Sequence, residues 1–297
     1  MGRIAAGRGD KAVPRVAPRR RRSWLAFTIV VTIWAGIIAA GGLLVFTWDM
    51  PGPEAALATT RRPSVTLQAG DGRVIATSGD IYGDILRLSD MPGSLPAALI
   101  AIEDRRFRSH WGLDVVGLAR AAWVNLTTGR VAQGGSTITQ QLAKNLFLTP
   151  ARSFRRKVQE ALLALWLERR FTKDEILEIY LNRVYLGAGA YGVDAAARLY
   201  FGISARRLEP WQSAILAGLP RAPSRLNPRV NPGGAVARGV EVLDAMAETG
   251  AIRPGSVAAL SEAMAFPRPP SREAGWFADW AQDDLAARFP GSADLVL

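Results

Sequence analysis

The chain has 297 residues, a net charge of +11, one histidine and no cysteine. That composition excludes a disulfide framework, a thiolate nucleophile and a zinc site of the usual kind. The positive charge is concentrated at one end: residues 1–22 hold eight basic side chains against Asp10, a local net of +7.

Residues 1–22 therefore read as a basic cytoplasmic tail. An uncharged stretch follows over 23–48, with Trp24 and Trp48 near its ends. As a helix, its 25 residues from Trp24 to Trp48 would span roughly 37 Å, enough to cross a bilayer. Tryptophans favour the headgroup level and arginines stay inside, so a single-pass transmembrane helix is expected, with everything after it outside the cytoplasm. A cleaved signal peptide would have a shorter apolar region and a small-residue cleavage site. The arginine run abuts an apolar span, so anionic lipid and topology explain it and nucleic-acid binding is not expected.

Met50-Pro51-Gly52-Pro53 opens a linker over 49–64. A short β segment is expected from 64–67 and 73–76, around the turn signal Ala69-Gly70-Asp71-Gly72. Beyond it the pattern is helical, with candidate helices at 95–108, 113–128, 138–147, 153–170, 173–183, 191–200, 209–218, 235–248 and 256–264. Thr137-x-x-Gln140 and Thr172-x-x-Glu175 read as capping boxes. Pro267-Arg268-Pro269-Pro270 closes the helical body, and an amphipathic piece, Trp276 to Trp280, follows. The domain expected over 65–250 is mainly α, with a C-terminal helical extension over 251–297.

Three features bear on chemistry. Glu103 would share a helical stripe with Leu99, Ile100, Arg106 and Phe107. Partial desolvation there would make its carboxylate a better proton acceptor; the plainer reading is a rim carboxylate paired with Arg106. Glu160 lies on a helix whose main apolar stripe reads Phe154, Val158, Ala161, Leu162, Leu165 and Trp166. Glu160 itself falls with Arg156 in a second face of Leu163, Ala164, Leu167 and Phe171. A carboxylate there needs a partner or a purpose, because burying a lone charge costs several kcal/mol. Third, Gly134-Gly135 leads into Ser136, Thr137 and Thr139 at a helix start, where free N–H groups and the helix dipole suit a phosphate. An ordinary capped helix would look the same.

Taken in order, these segments resemble a known family. Glu103-Asp104-Arg105-Arg106-Phe107-x-x-His110-x-Gly112, Gln133 to Gln141, Arg156-Lys157-x-x-Glu160 and Lys173-x-x-Ile176-Leu177-Glu178-x-Tyr180-Leu181-Asn182 are similar to the four motifs of the peptidoglycan glycosyltransferases (glycosyltransferase family 51). That family comprises the glycan-polymerising domain of class A penicillin-binding proteins and the stand-alone membrane transglycosylases. The similarity runs from about residue 65 to 230, through Tyr200-Phe201-Gly202 and Ala222-Pro223-Ser224. It departs at Ile203, where a basic residue is common, and at Gln212, where a glutamate is common.

The resemblance implies a lysozyme-like, two-lobed helical domain whose smaller lobe dips into the membrane; Leu113 to Leu126, with Trp111 and Trp123, is the candidate for part of it, a plain core helix being the alternative. It implies polymerisation of lipid II into β-1,4-linked glycan by inverting displacement of undecaprenyl pyrophosphate. Glu103 would be the general base, and Glu160 would organise the pyrophosphate, either through a divalent metal (Mg or Mn) or through the surrounding cations. Ser136, Thr137, Gln140, Gln141, Lys144, Asn145, Arg156 and Lys157 match positions lining the donor site, while Asp104, Phe107 and His110 shape the base's pocket. The implied partners are lipid II, the growing glycan strand, the bilayer of the cytoplasmic membrane and other cell-wall synthesis proteins. No Ser-x-x-Lys, Ser-x-Asn or Lys-Thr-Gly set follows residue 230, and 276–297 resembles the connector of bifunctional relatives. A short form of a bifunctional architecture, a self-contained enzyme and a non-catalytic lipid II scaffold all remain open at this point.

Overall fold

The computed structural model describes residues 20–47, 65–68, 70, 74–129, 135–147, 153–267, 284 and 295–296. The basic tail up to residue 19, the linker over 49–64 and the amphipathic piece at 276–280 lie outside them. Helix α1 (Arg20–Thr47) belongs to a unit of its own, Met1–Met50. Its apolar side chains Phe27, Ile29, Ile33, Trp34 and Ile37 are exposed. A helix thus stands where the transmembrane segment was expected. Among the described residues no helix is long and apolar enough to cross a membrane.

The second unit, Pro51–Leu297, holds the helical body. It opens with β1 (Val65–Gln68), antiparallel to β2 (Val74–Ser78), with Val65 opposite Ser78. The short strand β3 (Ile81–Tyr82) runs parallel to β4 (Ala190–Tyr191). A second partner of β1, β5 (Leu295–Val296), joins in parallel and had no sequence signal.

Two helical groups build the body. Helix α2 (Ser94–Glu103) packs against α8 (Pro210–Gly218) and α10 (Pro232–Glu248), with the small α9 (Pro223–Leu226) and α11 (Val257–Glu262) alongside α10. Leu95, Leu99, Ile215, Val242 and Leu243 are buried there. In the other group α4 (Ile138–Phe147) packs against α5 (Phe154–Arg170) and α6 (Lys173–Arg183), burying Ile138, Leu142, Leu163, Leu167, Ile176 and Leu177. Each fully buried side chain of this size contributes about 1.5–3 kcal/mol.

The capping signals fold as expected. Thr172 and Glu175 form a reciprocal capping box at the start of α6. Thr137 N–H donates to Gln140 Oε1 at 3.0 Å, and Gln140 N–H donates back to Thr137 Oγ1 at 3.1 Å. Gln212, where the family often has glutamate, completes a box with Glu209 at the start of α8; an amide oxygen serves that purpose as well as a carboxylate.

Helix α7 (Val193–Phe201) is tied in by Asp194, which is 1 % exposed. Its carboxylate accepts from Asp84 N–H, Ser204 Oγ, Ala205 N–H and Arg198 Nε at 2.6–3.0 Å. Burial pushes this carboxyl up, but those hydrogen bonds outweigh burial and leave it below the ordinary aspartate value.

The structure changes two expectations and removes one alternative. Helix α2 stops at Glu103, and 104–108 turn away from it, so Arg106 and Phe107 do not continue its stripe. In α5 the buried face holds Gln159, Glu160, Leu163, Ala164, Leu167 and Glu168, while Phe154 is 79 % exposed. The face taken as secondary is the packed one. Helix α3 (Val115–Thr128) is not a core helix: Val115, Val116, Leu118, Trp123 and Leu126 are exposed, as is Trp111 before it.

Candidate active site

Glu103 is the last residue of α2, with its side chain 14 % exposed. A carboxylate at a helix C-terminus meets the unfavourable end of the macrodipole, so it needs compensation from elsewhere. Gln141 on α4 supplies it, donating from Nε2 to Glu103 Oε2 at 2.7 Å. Arg238 on α10 approaches the other oxygen, Oε1, at 4.0 Å. Arg106 pairs instead with Asp114, at 3.6 Å. The rim pairing envisaged for Glu103 is therefore absent.

Asp104 explains the turn after Glu103. It is buried, lies 3.0 Å from His110 Nε2 through both carboxylate oxygens, and accepts from Ile138 N–H at 3.1 Å. One side chain thus closes the loop onto the sole histidine and caps the N-terminus of α4. Burial pushes its carboxyl up, opposed by the hydrogen bond and charge of His110. Phe107 is fully buried and meets the His110 ring edge-on, with Lys173 Nζ 4.4 Å from the Phe107 centroid. Gly112 closes the segment at φ +70°, and a Cβ there would sit 3.0 Å from Ala164 O, so only glycine lets this loop lie on α5. Its carbonyl accepts from Thr137 Oγ1 at 2.6 Å. Asp104, Phe107, His110 and Thr137 accordingly build the turn that follows Glu103.

Glu160 lies on the buried face of α5 and is 3 % exposed. Both its oxygens are engaged: Oε1 by Arg156 Nη1, and Oε2 by Lys157 Nζ at 2.7 Å. Lys157 Nζ also donates to Ser136 Oγ at 2.9 Å. Around this cluster lies a pocket of about 140 Å³ lined by Ser136, Gln140, Gln141, Lys144, Arg156, Lys157 and Glu160. Three cations against one carboxylate leave it strongly positive. Arg156 Nε is buried there without a hydrogen-bond partner. Asn145, one residue past Lys144, is exposed and is not part of the lining.

Gln141 connects the two centres, since it lines the Glu160 pocket and holds Glu103. Its Oε1 accepts from Tyr180 OH at 2.9 Å. Tyr180 and Arg238 were not singled out as site residues by sequence. Tyr180 lies within the fourth motif, whose neighbours serve another end. Glu178 and Asn182 pin the segment 86–88, with Leu88 N–H donating to Glu178 Oε2 at 2.8 Å and Leu86 N–H to Asn182 Oδ1 at 2.9 Å. Two residues turn a helix by about 200°, which puts Tyr180 on the opposite side. A buried tyrosine needs a hydroxyl partner, and that was the available signal. Arg238 gave none.

A transglycosylase family model matches residues 71–247. The chain belongs to the transglycosylase family. It is 39 % identical over 269 residues to penicillin-binding protein 1A of Pseudomonas aeruginosa, covering 89 % of this chain and 33 % of that protein. To penicillin-binding protein 1A of Aquifex aeolicus it is 43 % identical over 226 residues, covering 76 % of this chain and 31 % of that protein. A crystal structure of penicillin-binding protein 1A from Haemophilus influenzae aligns with a TM-score of 0.46 at 24 % identity, covering 78 % of this chain and 25 % of that one. The chain thus spans about a third or less of the length of these relatives. Within the transglycosylase match lie both glutamates, the pocket between α4 and α5, and Arg238.

Among the described residues, Asp104, His110 and Asp114 bring ligand atoms within 4.8 Å of one another. The two carboxylates are already used, Asp104 by His110 Nε2 and Ile138 N–H and Asp114 by Gly117 N–H at 2.8 Å at the start of α3, while His110 Nδ1 is buried without a partner. At Glu160 the donor set is cationic, and a divalent ion would have to displace Arg156 and Lys157 from the carboxylate. These residues do not fit a metal without rearrangement.

Proposed function

We propose that this transglycosylase is a peptidoglycan glycosyltransferase that extends β-1,4-linked glycan from lipid II. The observation that carries the reading is the double role of Gln141, which joins a half-buried carboxylate to a pocket walled by Lys144, Arg156 and Lys157. Neutral glycan cleavage has no use for such a cationic pocket, whereas a departing pyrophosphate does.

On this reading the acceptor 4-hydroxyl approaches Glu103. As its oxygen attacks the anomeric carbon of the donor, its proton passes to the Glu103 carboxylate, and the bond to the pyrophosphate oxygen breaks with inversion. General-base catalysis of this kind contributes about 10²–10⁴-fold. Negative charge builds on the leaving pyrophosphate, where Lys144, Arg156 and Lys157 are preorganised to receive it. Glu160 holds Arg156 and Lys157 in place, so the donor side is organised by cations.

The lysozyme-like, two-lobed arrangement and the membrane belong to the same proposal. The exposed apolar face of α3, with Trp111 and Trp123, suits insertion into the interfacial region of a bilayer. The uncharged run over 23–48, preceded by four arginines, suits an anchor in the cytoplasmic membrane with the catalytic unit on its outer side.

The test is purified protein with fluorescent lipid II in detergent, with the products separated by length. Chain growth supports the reading. Degradation of preformed glycan would make the protein a hydrolase, and binding without turnover would make it a scaffold; either overturns it.

A further inference from the structure

We propose that Tyr180 is a positioning residue for Glu103, acting through the side-chain amide of Gln141. The inference rests on the reading of Glu103 as the proton acceptor. An ionised carboxylate can only accept hydrogen bonds, so the NH₂ of Gln141 must face it, as it does at 2.7 Å. The amide oxygen then points the other way, and Tyr180 OH must donate to it, at 2.9 Å. Each group has one role compatible with its neighbours, and the polarity of the whole chain is fixed.

Without the hydroxyl, only the bond to Glu103 opposes a half-turn of the amide, which is then held from one end instead of two. A half-turn of the amide would set Oε1 against the carboxylate and exchange an attraction for a repulsion. Tyr180 is suited to prevent this because it cannot wander or ionise. It is 1 % exposed in the packed interior of α6, and burial, with the charge of Glu103, pushes its hydroxyl well above the ordinary tyrosine range. The nearest cation shown at the other oxygen of Glu103 among the described residues is Arg238, at 4.0 Å, beyond hydrogen-bonding distance. Pinning Oε2 through Gln141 therefore leaves Oε1 presented to the acceptor hydroxyl.

The experiment measures lipid II polymerisation by the full chain as wild type, Tyr180→Phe, Gln141→Ala and the double variant, with melting temperatures for all four. A wild type that makes no glycan would sink the proposed function itself, whatever Tyr180 does. Given an active wild type, Tyr180→Phe should lower kcat about tenfold with KM changed less than about twofold, the size expected for one oriented hydrogen bond. The double variant should be no slower than Gln141→Ala alone, because Tyr180 acts through that amide. A role in packing alone predicts losses that multiply in the double variant and follow the melting temperature. That result, or a Tyr180→Phe kcat within twofold of wild type, would overturn the proposal.

Discussion

The two glutamates of the site are both largely buried, yet their surroundings are opposite. Glu103 ends a helix and receives one hydrogen bond from a neutral amide, with its nearest cation 4.0 Å away. Glu160 sits in mid-helix and is bonded through both oxygens to Arg156 and Lys157. A carboxylate with both oxygens bonded to cations has none left to meet an acceptor hydroxyl. One left with an open oxygen is well placed. On the proposed reading the same residue type serves as a reagent at one end of the site and as a brace at the other, and the division is set by which helix presents the cations.

Glutamine variants at both positions sharpen this contrast most. Glu103→Gln should lower kcat for chain growth by roughly 10³-fold, the middle of the range for a positioned general base, with an unchanged circular dichroism spectrum. Glu160→Gln should cost about 10²-fold, the scale of losing one preorganised electrostatic contact. Its loss should fall partly on KM, because Arg156 and Lys157 are released while the base is intact. Steady-state kinetics on both variants checks the order.

Away from the site, Asp194 is a brace of the Glu160 kind without a pocket. Asp194→Asn should destabilise the fold by about 2–4 kcal/mol, as removing one partner of a buried charged cluster does, read by urea titration. Its carboxyl is held below the ordinary aspartate value of 3.8. Its stabilising contribution is therefore complete above pH 3.8 and is lost as pH falls below that through the folded-state value. Native protein should lose stability over that acid window, and the Asn variant should lose less.

The smallest effect is expected on α3. Trp123→Ser should weaken binding to anionic vesicles by about tenfold, while turnover in detergent stays within about twofold of wild type.

Local signals carried much of the fold. Thr137 and Thr172 announced the starts of α4 and α6, and both boxes formed. What escaped was set by distant contacts. Helix α2 stops at Glu103 because Asp104 turns to cap a helix beginning 34 positions later, and no periodicity within 95–108 records that. The buried face of α5 was misjudged because its polar residues are satisfied from elsewhere: Glu168 accepts from Thr139 Oγ1 and Lys173 Nζ, both at 2.6 Å. Counting apolar positions alone favoured Phe154 and Leu165, which lie at the surface. The residues around Glu160 were legible as a cluster, because Arg156 and Lys157 precede it on one helix. Those around Glu103 come from α4, α6 and α10, and only Gln141 was named beforehand, through the family resemblance.

The affinity of the Glu103→Gln variant for fluorescent lipid II, measured at equilibrium beside wild type in a non-turnover state, tests the division of labour most directly. A proton acceptor that plays no part in holding the donor predicts a dissociation constant within about twofold of wild type. An affinity that falls as steeply as chain growth would make Glu103 a binding group and contradict the account.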